Sequence, residues 1–185
     1  MMRKLPVFLD RDGVINRDSA DYIRSLRDWF PLPGSIEAIT NLSNAGHPVI
    51  VVTNQSAISR KYCLESDVIE IHKHLVKLVD KSGGRIDGLY YCPHHPDDEC
   101  GCRKPKTGML DTAREEHNLP PGGYLVGDAS SDMEMGRRAG LKTILVLTGR
   151  GSNQLELIEK ENQPFPWRVT EDLASAALII LEDSG

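Results

Sequence analysis

The chain reads as an α/β protein, a three-layer α/β/α sandwich of Rossmann-like type around a mainly parallel central sheet. Three observations predict this. Short apolar runs alternate with helical stretches along all 185 residues, the pattern of strands joined by helical crossovers. The run at 49–52 is continuously β-branched, as in a strand covered on both faces. Polar clusters stand just after strands: Asp10 and Asp12 after the first, Thr53 to Ser56 after the second, Asp128 after the fourth. In such sheets ligands sit beyond the carboxyl ends of the strands.

Taken in order, 6–9 is a short buried strand, followed by a polar stretch at 16–28 and a turn at 31–34. Ser35 is placed to cap a first helix, with Glu37 in its first turn, Ile36, Ile39 and Leu42 on one stripe, and Gly46 as its stop. The strand at 49–52 leads to a second helix from about Glu65, with Val68, Ile71, Leu75, Leu78 and Val79 facing inward. Residues 89–91 form a third strand and 108–118 a third helix. A fourth strand at 124–126 precedes a short helix capped by Ser131 and stopped by Gly140. A fifth strand follows at 143–147, then a weak helix at 155–160. Thr170 is placed to cap the last helix, with Leu173, Ala177, Leu178 and Leu181 on its buried stripe. Neither repeats nor an interdomain linker interrupt the pattern, so residues 1–185 read as one domain.

Composition narrows the function. A net charge of −5 argues against a general nucleic-acid binder, so an anionic substrate needs a local cluster of positive groups. No apolar run approaches the roughly 18 residues of a membrane span, and Met1-Met2-Arg3-Lys4 has no apolar segment behind it. The expectation is a cytoplasmic protein, with nothing that demands more than a monomer. Its four cysteines are then not expected in disulfides.

At the end of a strand, residues i and i+2 point the same way, so Asp10 and Asp12 can converge. Paired carboxylates repel unless a cation or shared proton lies between them, and magnesium binds through one or two carboxylates plus water and phosphate. Gly13 lets the chain leave the strand sharply. With a phosphate monoester at this edge, Asp128 is a further magnesium ligand and the carbonyl of Asp12 another. Asp10 can then attack phosphorus to give an acyl phosphate. Asp12 can give a proton to the leaving alkoxide and take one from water, which calls for a pKa raised by neighbouring negative charge. Thr53, Lys104 and the backbone amides after Asp10 and near Asn54 are candidates to stabilise the transferring phosphoryl group.

Cys92, His94, Cys100 and Cys102 form a C-x-H-x5-C-x-C loop at 92–102, the ligand set of a closed, structural zinc site. His94 is preferred to His95 because Cys-x-His mirrors Cys-x-Cys. Cys63 stands alone, as a small buried apolar residue would. Arg103, directly after the loop, suits bidentate recognition of a second phosphate.

Together, Asp-x-Asp-Gly at 10–13, the strand-end Thr53, Lys104 and Gly127-Asp128 with Asp132 four residues on resemble the haloacid dehalogenase superfamily of aspartate-nucleophile phosphatases. The resemblance implies Asp10 as nucleophile, Asp12 as acid/base, Thr53 and Lys104 as phosphate binders, and Asp10, Asp12 and Asp128 as Mg2+ ligands. Asp132 would orient magnesium-bound water or hydrogen-bond the loop. The phrases at 9–16, 53–56, 91–94 and 102–105 are similar to those of a narrower group, the heptose bisphosphate and histidinol-phosphate phosphatases. That group implies no large cap domain, a Zn2+ loop that shapes the pocket, and Asp18, Ser19, Ala20 and Asp21 lining a sugar site. Arg11, Asn54, Gln55, Ser56 and Arg103 would complete substrate binding. The implied substrate is a small phosphorylated sugar that loses its 7-phosphate on the way to surface glycans such as lipopolysaccharide. Histidinol phosphate is the alternative substrate, and a zinc-stabilised binding module the non-enzyme alternative. Two departures stand out: residues 57–61 lack the glycines usual after Asn-Gln-Ser, and Ala129 stands where some members carry a lysine.

Overall fold

A computed structural model describes residues 4–185; Met1 to Arg3, part of the N-terminal reading above, lie outside it. The described chain forms one six-stranded sheet in the order β3-β2-β1-β4-β5-β6, with every pair parallel. The strands are β1 (Val7–Leu9), β2 (Val49–Asn54), β3 (Gly88–Cys92), β4 (Tyr124–Gly127), β5 (Lys142–Val146) and β6 (Arg168–Thr170). The helices are α1 (Ser35–Asn44), α2 (Glu65–Lys81), α3 (Gly108–His117), α4 (Ser130–Arg138), α5 (Gly151–Lys160) and α6 (Leu173–Asp183).

Alternation along the strands builds two cores. Val7 and Leu9 of β1 pack with α1, α2 and α6 on one face of the sheet. Phe8 packs with α3, α4 and α5 on the other. Successive side chains on a strand point to opposite faces, so a sheet covered on both sides needs apolar residues at every position. Val7, Phe8 and Leu9 are accordingly all buried. From β1 the chain runs outward through β2 to β3, then returns to place β4 on the other side of β1. Strand order therefore reverses between β1 and β4, which opens a crevice at their carboxyl ends. No cap domain is present among the described residues: between β1 and α1 lies only a loop with one short 3-10 turn, Leu26–Asp28. No described helix is long and apolar enough to cross a membrane.

Several local expectations are corrected. Ser35 does not cap α1; Gly34 does, in the left-handed region, while the Ser35 hydroxyl donates to the Ile15 carbonyl at 2.7 Å. Thr170 belongs to β6, a strand the sequence reading missed, and Asp172 caps α6 by accepting from Ser175 N–H at 2.8 Å. Ala129 rather than Ser131 precedes α4, and the Asp132 carboxylate accepts the Ala129 N–H. The buried stripe of α6 is Leu173, Ala176, Ala177 and Ile180; Leu178 is 62% exposed, because a step of one residue rotates it about 100° off the packed face. Cys63 is half-buried rather than buried.

Candidate active site

β1 ends in the crevice. The Asp10 N–H continues its ladder to the Val126 carbonyl at 2.9 Å, which points the side chain out over the carboxyl edge. Asp10 Oδ1 accepts the Arg11 N–H at 2.7 Å and lies 2.8 Å from Lys104 Nζ. The same ammonium sits 2.6 Å from Asp132 Oδ1 and donates to the Val52 carbonyl. Asp10, Asp128 and Asp132, from the ends of β1 and β4 and the first turn of α4, each offer an oxygen within 4.8 Å of the others.

Three buried carboxylates around one ammonium carry excess negative charge. Burial pushes Asp10 up, Lys104 pulls it down, and Asp132 and Asp128 push it up again, to about 8. Burial and then Asp132 raise Asp128 to about 6, against the pull of Arg150 and Lys104. Burial would lower Lys104, yet Asp10 and Asp132 more than offset it and raise its pKa. Asp128 Oδ2 accepts the Arg150 N–H at 2.8 Å, but its Oδ1 is buried without a hydrogen-bond partner. Buried oxygens are seldom left so. An orphaned carboxylate oxygen among three mutually repelling acids fits a hard divalent cation with oxygen ligands, magnesium above all.

Asp12 has a different environment from the one expected. Its Oδ1 accepts from Arg11 Nε and Asn16 Nδ2, and its Oδ2 from Arg11 Nη2 and Gln55 Nε2, all at 2.9 Å. Its carboxylate lies outside the acidic cluster, so Asp12 could reach a magnesium ion there only through its backbone carbonyl, the ligand expected of it. Burial pushes its pKa up, but the Arg11 charge and hydrogen bonds from Asn16, Gln55 and Arg11 hold it below the usual carboxylate range. The expected rise is thus overturned, because the group facing Asp12 is a cation and not another acid. Gln55 also donates to Thr53 Oγ1 at 2.9 Å, linking the ends of β1 and β2.

This arrangement can be compared with known proteins. A HAD-hydrolase-like family model matches residues 101–176. The D-glycero-β-D-manno-heptose-1,7-bisphosphate 7-phosphatase of Pseudomonas aeruginosa is 44% identical, covering 98% of this chain and 100% of its own length. The enzyme of the same name from Pseudomonas putida is 43% identical over 92% of this chain and 96% of its own. A crystal structure of D,D-heptose 1,7-bisphosphate phosphatase from B. bronchiseptica, complexed with magnesium and phosphate, superposes with a TM-score of 0.89 at 36% identity, covering 97% of this chain and 99% of that one. The chain belongs to the heptose bisphosphate phosphatase family of haloacid dehalogenase-like hydrolases.

In this family member a cavity of about 430 Å³ opens above the acidic cluster. Asp10, Asp12, Thr53 and Lys104 form its floor, with Asn54, Gln55 and Ser56 beside them. Asp18, Ser19 and Ala20 line one wall as expected, together with Tyr22 and Ile23. Asp21 does not reach the cavity; it faces a separate surface hollow with Arg24 and Asp28. The Arg11 side chain is 0% exposed and faces Asp12 and His72 rather than the cavity, so only its backbone N–H, 2.7 Å from Asp10 Oδ1, is left to meet a phosphate. Arg103 lines the cavity with Nη1 buried and unpartnered.

The sequence reading missed Arg60, Ser131 and Arg150 in the lining, and left Asp132 undecided. Asp132 had a signal, since four residues from Asp128 is one helical turn. Arg60 and Arg150 had none, because their loops acquire a role only once folded against the crevice. Arg60, like Arg103, has a buried nitrogen without a partner, Nε.

The cysteine loop closes as expected. Ligand atoms of Cys92, His94, Cys100 and Cys102 all lie within 4.8 Å of one another, with His94 Nδ1 3.2 Å from Cys102 Sγ and 3.5 Å from Cys92 Sγ. His95 instead accepts the Asp97 N–H at the start of a 3-10 turn. Three thiols and one imidazole in mutual reach fit a tetrahedral structural zinc.

Proposed function

We propose that this chain is a magnesium-dependent phosphatase that removes the 7-phosphate of D-glycero-D-manno-heptose 1,7-bisphosphate and leaves the 1-phosphate. The observation that carries this reading is the division of cations in the cavity. Lys104 is committed to Asp10 and Asp132, and Arg150 lies 3.5–3.6 Å from Asp18 and Asp128. Arg60 and Arg103 have no carboxylate within 4 Å among the described residues, and each buries an unpartnered nitrogen. Two free guanidinium groups across from a phosphoryl-transfer site suit a substrate with a second phosphate. Histidinol phosphate carries an amine where that phosphate would be, and gains nothing from them.

Asp10 attacks phosphorus, forming an aspartyl phosphate as the sugar oxygen leaves. Thr53 and Lys104 stabilise the equatorial oxygens of the transferring group. Asp12 donates a proton to the leaving alkoxide, then accepts one from the water that attacks the aspartyl phosphate. Arg11 keeps Asp12 ionised in the free chain, so the acid half of its cycle uses a proton taken up with substrate, whose negative charge opposes that of Arg11. Asp10, Asp128 and Asp132 would hold the magnesium, which when bound neutralises the phosphate and the acidic cluster. On this reading the product serves the supply of activated heptose for surface glycans. The reading also keeps a single domain over 1–185, a monomer, and a cytoplasmic site of action.

The test is a substrate panel with wild type and Asp10→Asn. Wild type is expected to turn over heptose bisphosphate at least ~100-fold more efficiently (kcat/KM) than histidinol phosphate, given the ~2–3 kcal/mol scale of charge-assisted hydrogen bonds. Asp10→Asn is expected to keep the fold by circular dichroism and lose turnover of both. A preference for histidinol phosphate would overturn the substrate, and an active Asp10→Asn the nucleophile.

A further inference from the structure

Behind the catalytic loop, α2 supplies one buried histidine that the chemistry above does not use. His72 is 7% exposed and sits beneath Arg11, which is itself fully buried. His72 Nε2 lies 3.0 Å from Arg11 Nη1. A guanidinium has only donors, so Nε2 is the acceptor and the ring proton resides on Nδ1. Burial first, and then the Arg11 charge, push the His72 pKa down to about 3 against the pull of Asp12. The ring is therefore neutral at physiological pH, as an acceptor must be. Its orientation is fixed from behind by Tyr91, whose ring centre lies 5.4 Å away and whose hydroxyl donates to Glu65 at 2.8 Å.

From the front, Arg11 meets Asp12 as a two-point fork, Nε to Oδ1 and Nη2 to Oδ2, both at 2.9 Å. A rigid planar fork transmits its own orientation to the carboxylate it holds. The outer edge of that plane, at Nη1, is tied to His72. We propose that His72 is a positioning residue: by holding Arg11 Nη1 it sets the plane in which the Asp12 carboxylate is presented to substrate. Without an acceptor at this position, a buried charged N–H is left unsatisfied, and Arg11 turns to find another partner. Catalytic groups need placement within about 0.5 Å, so a small rotation of the fork is enough to misdirect proton transfer. The inference rests on the proton role of Asp12 given above.

The experiment compares kcat/KM for heptose bisphosphate and p-nitrophenyl phosphate in the full chain. The sugar leaves as an alkoxide and needs the Asp12 proton; the phenolate leaves without one. His72→Leu is expected to lower kcat/KM for the sugar about tenfold, part of the ~100-fold or more that a general acid contributes, and to lower it for p-nitrophenyl phosphate by a smaller factor. His72→Gln places an amide oxygen close to the Nε2 position and is expected to recover most of the loss. Equal losses on both substrates, no loss in His72→Leu, or no recovery in His72→Gln would each overturn the proposal. Asp12→Asn in the same panel separates the two levels. If Asp12→Asn keeps wild-type activity on the sugar, the proton role of Asp12 fails; if it collapses while His72→Leu does not, only the His72 proposal fails.

Discussion

Two glycines decide whether the acidic cluster can hold an ion. A Cβ on Gly13 would lie 2.1 Å from Asp128 Oδ2, and one on Gly149 2.3 Å from the same oxygen. Both residues have positive φ, +84° and +59°, a region that other residues enter with strain. The backbones of the β1 and β5 loops thus press on Asp128 at Oδ2, while Oδ1 has no hydrogen bond and Arg150 Nη2 lies 3.6 Å from it. Gly149→Ala is expected to displace Asp128, cost about 1–3 kcal/mol in stability, and raise the magnesium concentration for half-maximal activity severalfold. A magnesium titration matching wild type would remove Gly149 from this role. At this scale the sequence was informative wherever spacing alone fixes position. Asp10, Thr53 and Asp128 stand at strand ends, and Lys104 is pinned by the cysteine loop. The electrostatics of Asp12 were not legible, although Arg11 is its chain neighbour, because adjacency does not say which way a guanidinium folds.

Among the elements, the core of each helix and strand was readable from periodicity, while caps and edges were not. Hydroxyl residues near a helix start compete to cap it, and tertiary contacts choose among them; Ser35 is drawn off to the Ile15 carbonyl. β6 is three residues long and, among the described residues, pairs only with β5, too short to show a period of two. Helix α2 was read correctly as amphipathic, but its inner face includes His72, a polar residue that a hydrophobic stripe does not flag. Burying that histidine ties stability to pH. Its ordinary pKa of 6.5 falls to about 3 in the folded chain. Above about pH 6.5 it is neutral in both states and contributes no pH dependence. Below that the unfolded chain binds the proton first, so stability falls as pH drops from about 6.5 toward about 3, by up to roughly 5 kcal/mol. Thermal or urea unfolding at pH 7.5 and 4.5 checks this. His72→Gln is expected to lose less stability than wild type between the two; parallel losses would show that the histidine stays protonated or exposed.

For the molecule as a whole, the fold class followed from alternation of strands and helices, and the reversal of strand order between β1 and β4 brought Asp10 and Asp128 together. The acidic total charge also reads differently in three dimensions: the chain is −5 overall, yet Arg60, Arg103, Lys104 and Arg150 gather at one cavity. Part of that gathering depends on the cysteine loop. Cys92 ends β3, the strand at one edge of the sheet, and Cys102 precedes Arg103 and Lys104 directly. The Lys104 N–H then donates to Asn54 Oδ1 at 3.2 Å, and its ammonium crosses β2 to reach Asp10. A zinc ion among the four ligands would fix the start of this path; the second core buries Cys92 but only half-buries Cys100 and Cys102 and leaves His94 exposed. Protein purified without chelator is expected to carry about one zinc per chain, from the four-ligand count. Stripping it is expected to leave the helical circular-dichroism signal largely intact, because Cys92 is the one ligand within a buried core and the rest of both cores is built from the other strands and the six helices. Activity, by contrast, is expected to fall at least tenfold, through lower kcat from a displaced Lys104 and higher KM from a displaced Arg103. Zinc added back, at constant magnesium, is expected to restore both; a zinc-free chain with unchanged kcat and KM would detach the loop from the chemistry altogether.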